Sequence, residues 1–205
     1  MVRTAASIRE AVEALAGREA AFARVVEVHG IPEPRSSEPG AHTLLRTIVG
    51  QQVSVAAARS MWSKLERAYG SPPDLAAILA ASDEDLRLAG ISRQKAGYAR
   101  SLAELVLSGE LDLRSLPAGD DEAIALLTKI KGIGRWSAEI YLLFAEGRPD
   151  VWPAGDLAVQ VEIGRIMGLD EKPTEKHLRE IAERWRPHRG AAAILAWHSY
   201  NSSVL

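Results

Sequence analysis

The chain has 205 residues, of which 47% are hydrophobic and 25% charged, a composition typical of a globular protein that can bury its own core. The absence of cysteine excludes disulfide bonds, thiolate nucleophiles and cysteine-ligated metal centres. A net charge of −2 argues against a broadly basic surface, so any contact with nucleic acid has to be local.

The sequence carries no recognisable membrane or export signal. No apolar run approaches the ~18 residues of a membrane span. Residues 1–30 lack the basic start and apolar block of a secretory signal. We therefore expect a cytoplasmic protein without a membrane partner, in bacteria one of the nucleoid-associated pool.

Apolar residues recur at helical spacing along nearly the whole chain, and strict alternation is rare. The helical segments, in chain order, are SIREAVEALA, HTLLRTIVG, SVAAARSMWSKLERAYG, QKAGYARSLAELVLSG, DEAIALLTKI, WSAEIYLLFAEG, LAVQVEIGRIMGL and EKHLREIAERW. Ser82 and Thr174 are suited to cap helix starts. Glycines suited to close helices are Gly70, Gly90, Gly109 and Gly168. These patterns predict an all-α fold.

Two stretches rich in helix-breaking residues interrupt this pattern. The first is GIPEPRSSEPGAH at residues 30–42, and the second is GRPDVWPAGD at residues 147–156. The breaks predict a middle lobe of residues 40–148 and a second lobe of residues 1–39 with 149–205.

The segment KGIGRWSA at residues 131–138 places two glycines between helical runs. Gly132 and Gly134 allow a tight turn that exposes backbone N–H groups at the start of the next helix. Such a hairpin, flanked by Lys131 and Arg135, suits a phosphate group. The alternative is a plain glycine cap between packed helices, with Ile133 in the core.

The hairpin belongs to a longer stretch, LLTKIKGIGRWSAEIYLLFAEGRPDVWPAGD, that ends at Asp156. This stretch resembles the helix-hairpin-helix, Gly/Pro-rich loop and aspartate signature of the HhH-GPD DNA glycosylases. The nearest branch is the 3-methyladenine DNA glycosylase II, or alkylbase DNA glycosylase, family. The segments LLRTIVGQQVSVAAA (44–58) and AERWRPHRGAAAILAWHSY (182–200) extend the resemblance from about residue 40 to the end. It implies a short form without the additional N-terminal β domain of larger members.

The resemblance implies a two-lobed helical glycosylase with its active site in a cleft between the lobes. Asp156 corresponds to the catalytic aspartate, although an aspartate at a helix start is also an ordinary N-cap. An anion there would stabilise the positive charge that develops on deoxyribose during cleavage of the N-glycosidic bond. Trp136 stands where bifunctional members carry a lysine nucleophile, which implies base removal without strand cleavage. Lys95 and Lys131 do not match that position and read as solvated charges at helix ends.

Other positions match the parts of the family that contact DNA. Trp136, Trp197 and Ile140 correspond to the base pocket, where aromatic faces attract a cationic alkylated purine, although helical tryptophans are usually core. Gln52, with Gln51 beside it, corresponds to the wedge that fills the gap left by the flipped base, or else is an ordinary loop residue. The hairpin residues implied to bind phosphate are Lys131, Gly132, Ile133, Gly134 and Arg135. The resemblance also implies that backbone carbonyl groups of the hairpin hold Na⁺ or K⁺ when DNA is bound.

The expected partner is double-stranded DNA with alkylated bases, bound by a monomer that needs no cofactor. A noncatalytic helix-hairpin-helix DNA-binding module would need the hairpin but neither Asp156 nor the tryptophans. A protein-interaction domain would need none of them, and a glycosylase for another damaged base also remains open. A basic cluster that either contacts phosphate or forms a solvated helix end contains Arg184, Arg186, His188 and Arg189.

Overall fold

The structure, a computed structural model, describes residues 5–203. Within that range every regular element is a helix and no strand occurs, so the all-α prediction is confirmed. None of the described helices is long and apolar enough to cross a membrane.

The chain divides into two compact units, Glu38–Tyr141 and Met1–Ser37 with Leu142–Leu205. The helices of the first unit are α3 (Ala41–Gly50), α4 (Val55–Tyr69), α5 (Leu75–Ala80), α6 (Asp83–Leu88), α7 (Arg93–Leu107), α8 (Asp120–Leu127) and the start of α9 (Arg135–Phe144). The helices of the second are α1 (Ala5–Arg18), α2 (Ala20–His29), the end of α9, α10 (Leu157–Ile166), α11 (Glu175–Ala182) and α12 (Arg189–Ser203), with a 3₁₀ turn at Glu183–Trp185. The predicted lobe boundaries and the predicted cleft stay predictions.

The helix starts and ends follow the local chemistry of the sequence. The Ser82 hydroxyl accepts a hydrogen bond from the Asp85 N–H, and the Thr174 hydroxyl accepts one from the His177 N–H, as expected of N-caps. The glycines predicted to close helices all have left-handed φ angles, at Gly70, Gly90, Gly109 and Gly168. Side-chain and backbone chemistry thus set these boundaries before tertiary packing is considered.

The second unit has an aromatic centre. Trp185 is fully buried and meets Phe22 and Trp152 edge to face, with ring centroids 5.0 and 5.5 Å apart. The Trp185 Nε1 donates to Glu19 at 3.2 Å, which satisfies its buried N–H. This centre fixes α2, the segment before α10 and the start of α12 in one core.

The basic cluster near residue 186 is committed to ion pairs within this unit. Arg186 and Arg189 both contact Asp150 and Glu183, and Arg184 contacts Glu19 at 2.7 Å. The side chains of Arg184 and Arg186 remain about half exposed, so a phosphate contact and a solvated helix end both stay predictions for this cluster. Bidentate pairing of guanidinium with carboxylate is strong and specific, and it holds the segment before α12 against residue 150.

Candidate functional site

The hairpin (residues 128–134) turns at Gly132, and no other residue type fits there. Gly132 has φ +82°, in the left-handed region that favours glycine. A Cβ at this position would lie 2.2 Å from the Tyr98 ring. The hairpin therefore needs glycine for its backbone angle and for the close approach of α7.

Gly134 differs from its neighbour, and the expectation that it also needs a special backbone angle is wrong. Its φ is not left-handed, and a Cβ would meet nothing within 4 Å. Its carbonyl oxygen accepts the Ala138 N–H at 3.0 Å, which starts α9. Open space at Gly134 leaves room for a molecule to approach the backbone from outside.

The hairpin N–H groups divide into bonded and exposed ones. The Lys131 N–H donates to Ser101 Oγ at 3.1 Å, and the Ile133 N–H donates to Ile130 O at 3.0 Å. Ile133 is buried, so it anchors the hairpin in the core, as the alternative reading held. Gly132 and Gly134 are exposed, and neither donates its N–H to another of the described residues. These two groups remain for an anion.

Arg135, expected to add positive charge to the hairpin, is bonded to two carboxylates. Its Nη2 donates to Asp121 at 2.7 Å and its Nε donates to Glu139 at 3.0 Å. Burial alone lowers the pKa of Arg135, but these carboxylates outweigh it and the pKa lies above its ordinary value. Arg135 therefore stabilises Glu139, which is only 2% exposed, at least as much as it attracts a phosphate.

The turn after α3 (residues 51–54), here called the wedge turn, is tied to the hairpin. The Gln51 side chain donates from Nε2 to the Gly132 carbonyl oxygen at 2.8 Å. Gln52 is exposed and has φ +55°, the one left-handed non-glycine residue in the described part of the chain. The two glutamines predicted at the tip therefore differ, since Gln51 is bonded to the hairpin and Gln52 is exposed.

Lys95 is less exposed than the sequence predicts. Instead of a solvated charge, it is a half-buried side chain whose Nζ donates to the Val49 carbonyl oxygen at 2.8 Å, near the C-terminus of α3. Burial lowers the pKa of Lys95. Its ammonium group lines a cavity of about 700 Å³ together with Gln51, Gln52 and Trp136. No spacing in the sequence indicates that α7 brings this lysine to the end of α3.

Trp136 and Ile140 occupy successive turns of α9. Trp136 is 47% exposed, which is unusual for a tryptophan and argues against a purely structural role. Ile140 is partly buried. The predicted membership of both in one base pocket stays a prediction.

In the other unit, Asp156 caps α10 through its side chain. Its Oδ1 accepts the Val159 N–H at 3.0 Å, and the same oxygen accepts the Trp197 Nε1 at 3.0 Å. Asp156 is partly buried and sits at the positive end of the helix dipole, which favours a carboxylate. The N-cap role is therefore real, and it accompanies a bond from α12 that fixes the carboxylate's position.

The loop that delivers Asp156 is also held by side chains. Gln160, on α10, donates from Nε2 to the Ala154 carbonyl oxygen at 2.8 Å and accepts from Lys172 Nζ at 2.8 Å. Arg179 donates to the Trp152 carbonyl oxygen at 3.3 Å. These hydrogen bonds restrict the irregular loop that precedes Asp156.

The second face of Trp197 borders a small cavity. Its ring lies 5.7 Å from that of Phe144, tilted by 32°. The cavity beside them, of about 190 Å³, is lined by polar groups of Glu33, Arg35 and Asn201 as well as by these rings. The sequence does not indicate the contact between Phe144 and Trp197, because the two residues are far apart in the chain.

No group of three or more His, Cys, Asp or Glu residues in the described part of the chain is close enough to hold a metal ion. Four hairpin carbonyl oxygens accept no hydrogen bond from the described residues, those of Thr128, Lys129, Lys131 and Ile133. Carbonyl oxygens are suitable ligands for a hard cation. The Na⁺ or K⁺ that the resemblance implies at the hairpin stays a prediction.

Comparison with known proteins gave consistent matches. The sequence model for the HhH-GPD superfamily base excision DNA repair proteins matches residues 45–187. DNA-3-methyladenine glycosylase 1 of Schizosaccharomyces pombe is 31% identical over 93% of this chain and 87% of that protein. The matches to relatives from Bacillus subtilis and Escherichia coli span 57% and 56% of those proteins.

Solved structures show the same likeness. A DNA-3-methyladenine glycosidase from Bacillus halodurans has a TM-score of 0.87 and 30% identity, and the match covers 95% of this chain and 90% of that one. The Schizosaccharomyces pombe 3-methyladenine DNA glycosylase Mag1, in complex with abasic DNA, has a TM-score of 0.78 and 29% identity. That match covers 96% of this chain and 97% of the Mag1 chain.

Proposed function

The chain belongs to the HhH-GPD superfamily of base excision DNA repair proteins, and on this premise we propose that it is a monofunctional DNA glycosylase for alkylated bases. Its substrates are bases of the 3-methyladenine and 7-methylguanine type in duplex DNA. The observation that carries the proposal is the carboxylate of Asp156, held on one oxygen by Val159 and Trp197. A noncatalytic helix-hairpin-helix DNA-binding module would need neither Asp156 nor the tryptophans.

Asp156 acts on the sugar. Departure of the base leaves positive charge on C1′ and the ring oxygen of deoxyribose, and a fixed carboxylate stabilises that charge without reorganising during the reaction. The carboxylate also orients or activates the water that completes hydrolysis. Because Oδ1 is held by two donors, the carboxylate keeps its direction when a substrate is bound.

Alkylation makes the base a good leaving group, so discrimination rests on how the base is bound. A methylated purine is cationic, and the faces of Trp197 and Trp136 attract a cation more strongly than a neutral base. Base flipping brings the target nucleotide out of the duplex, and Gln52 fills the space it leaves. Its exposure at the tip of the wedge turn supports that assignment.

The hairpin holds a phosphate of the lesion-bearing strand. The exposed N–H groups of Gly132 and Gly134, next to the start of α9, favour an anion and carry no sequence information. Lys131 adds positive charge, while Arg135 is partly neutralised by its carboxylates. A monovalent cation at the Lys131 and Ile133 carbonyls would supply further attraction to phosphate when bound.

Strand cleavage is not part of the proposed reaction. An indole cannot form the Schiff base with the sugar that a lyase needs, and Trp136 stands at the position of the lysine in bifunctional relatives. The protein acts as a monomer, in the cytoplasm close to the nucleoid, where its DNA substrate is found.

The test is an excision assay with the purified protein on a methylated duplex. Released bases are identified by chromatography, and the abasic product is examined for strand breaks before and after alkali treatment. Release of methylated bases with breaks only after alkali is the expected result. Duplex binding without base release would favour the noncatalytic module. Release of other damaged bases only would favour a glycosylase for another lesion.

A further inference from the structure

The wedge turn lies between two cavities of its unit. Gly50 lines both of them, Gln51 and Gln52 line the cavity shared with the hairpin, and Val53 and Val55 line the other. The second cavity has a volume of about 510 Å³ and runs along the start of α4. We call it the α4 groove, and none of the functions assigned above uses it.

The charge in the α4 groove is positive and uncompensated. Arg46 and Arg59 line it, no acidic residue does, and neither guanidinium forms an ion pair with a carboxylate among the described residues. Arg100 and Arg135, in the same unit, are both paired. In a chain with net charge −2, two unpaired arginines in one groove mark a place for an anion.

Arg46 is held in position although it has no carboxylate partner. Its guanidinium lies 4.3 Å from the centre of the Trp62 ring, a cation–π contact that restricts the side chain. Trp62 itself is buried. A charge that is already oriented loses less conformational entropy when it binds phosphate.

Two apolar residues of the groove wall are exposed. Val55 is 69% exposed and Val53 is 39% exposed, in the segment that begins α4. Ser54 caps this helix by accepting the Ala57 N–H, and the positive end of its dipole lies at the same place. Alternating apolar and cationic contacts suit a nucleic-acid backbone, whose sugars are apolar and whose phosphates are anionic.

We propose that the α4 groove binds the sugar–phosphate backbone of the strand opposite the lesion. This inference rests on the proposed function, in which Gln52 enters the base stack and the hairpin holds the damaged strand. A wedge inside a duplex passes between the two strands, so its two flanks face different strands. The flank with Gly132 faces the damaged strand, and the flank with Val53, Val55 and Arg59 faces the other.

The first measurement compares duplex affinity of Arg46→Gln, Arg59→Gln and the double variant with the parent, across a range of salt concentrations. Each lost phosphate contact makes the plot of log affinity against log salt less steep by about 0.9. Arg67→Gln is the matched control, because Arg67 is exposed on the same helix about 12 Å beyond Arg59 and forms no ion pair with another described residue. Circular dichroism and thermal melting confirm that the variants fold.

The second measurement assigns the strand. Duplexes with an abasic analogue carry neutral methylphosphonate linkages in one strand or the other. We expect neutral linkages opposite the lesion to weaken binding of the parent and to change binding of the Arg46→Gln/Arg59→Gln protein much less. Neutral linkages in the damaged strand should weaken both proteins equally.

The proposal is overturned if the double variant binds with the parent's salt dependence. It is also overturned if the double variant loses its sensitivity to neutral linkages in the damaged strand instead of in the opposite strand. A parent that binds duplexes but releases no base contradicts the glycosylase proposal alone, because the groove is judged by binding. A parent that releases bases while its groove variants bind normally contradicts the groove alone.

Discussion

The indole N–H of Trp197 and the carboxylate of Asp156 form a hydrogen bond of 3.0 Å between α12 and the start of α10. The same carboxylate oxygen receives the backbone N–H of Val159. Trp197 therefore does more than offer an aromatic face, since it also sets the direction of the group proposed to stabilise the sugar cation.

Replacing Trp197 with phenylalanine keeps an aromatic face but removes this hydrogen bond. A bond to a charged group contributes about 1.5–3 kcal/mol. We therefore expect single-turnover excision of 7-methylguanine to fall roughly 10- to 100-fold, since ~1.4 kcal/mol corresponds to one factor of ten. Trp152→Phe is the matched control, because the Trp152 N–H is buried without a hydrogen-bond partner among the described residues. Equal rates for the two variants would show that the bond to Asp156 is irrelevant.

Substitutions of the two glutamines of the wedge turn should affect different DNA substrates. Gln52→Ala is expected to slow excision from a paired duplex more than from single-stranded DNA, because only the duplex needs its stack filled. Gln51→Ala removes the bond to Gly132 and should weaken binding to duplexes with and without a lesion alike. Excision and binding assays on both substrates check this, and identical behaviour of the variants would be incompatible with separate roles.

The left-handed backbone of Gln52 should also affect the stability of the protein. A non-glycine residue in the left-handed region costs ~1–2 kcal/mol, while glycine there loses some of that advantage to chain entropy. Gln52→Gly should therefore raise the free energy of unfolding by up to about 1 kcal/mol and still lose wedge activity. Chemical denaturation measures the first effect, with Gln52→Ala as the variant that keeps the backbone strain. A less stable Gln52→Gly protein would mean that the φ angle of +55° is not strained.

The helices of this molecule could be predicted from the sequence, whereas contacts between distant residues could not. The helices and caps are local, so periodicity and residues such as Ser82 and Thr174 were sufficient. The positions of Lys95 and Trp197 depend on hydrogen bonds between residues far apart in the chain, which no local pattern encodes. The hairpin glycines looked equivalent, because composition does not reveal that Tyr98 approaches only Gly132.

The hairpin glycines should therefore respond differently to alanine. Gly132→Ala forces a side chain into the left-handed region and against Tyr98, and we expect it to cost more than about 2 kcal/mol of unfolding free energy. Gly134→Ala should leave stability within about 0.5 kcal/mol of the parent, because its Cβ has open space. Thermal or chemical unfolding of both variants decides the matter, and a destabilised Gly134→Ala protein would speak against this geometry.

Lys95 should make the free energy of unfolding depend on pH in the alkaline range. Because burial lowers the pKa of Lys95 in the folded state, the unfolded chain binds more protons between that lowered pKa and the ordinary value of about 10.4. The folded state must therefore gain stability as pH rises through this window, relative to a Lys95→Met variant that cannot titrate. Urea unfolding of both proteins from pH 7 to 10.5 measures the difference, and a difference that is flat or falls with pH would refute the buried amine.

The most direct test of the central claim is single-turnover excision by Asp156→Asn on a methylated duplex. Asparagine is as good an N-cap as aspartate and can still accept the Trp197 N–H, so the fold and duplex affinity should be nearly those of the parent. Loss of the negative charge should slow base release by roughly 10²–10³-fold or more, the effect of removing one preorganised electrostatic group, ~2.7–4 kcal/mol. An Asp156→Asn protein that releases 3-methyladenine at the parent's rate would contradict the assignment of Asp156 as the group that stabilises the sugar cation.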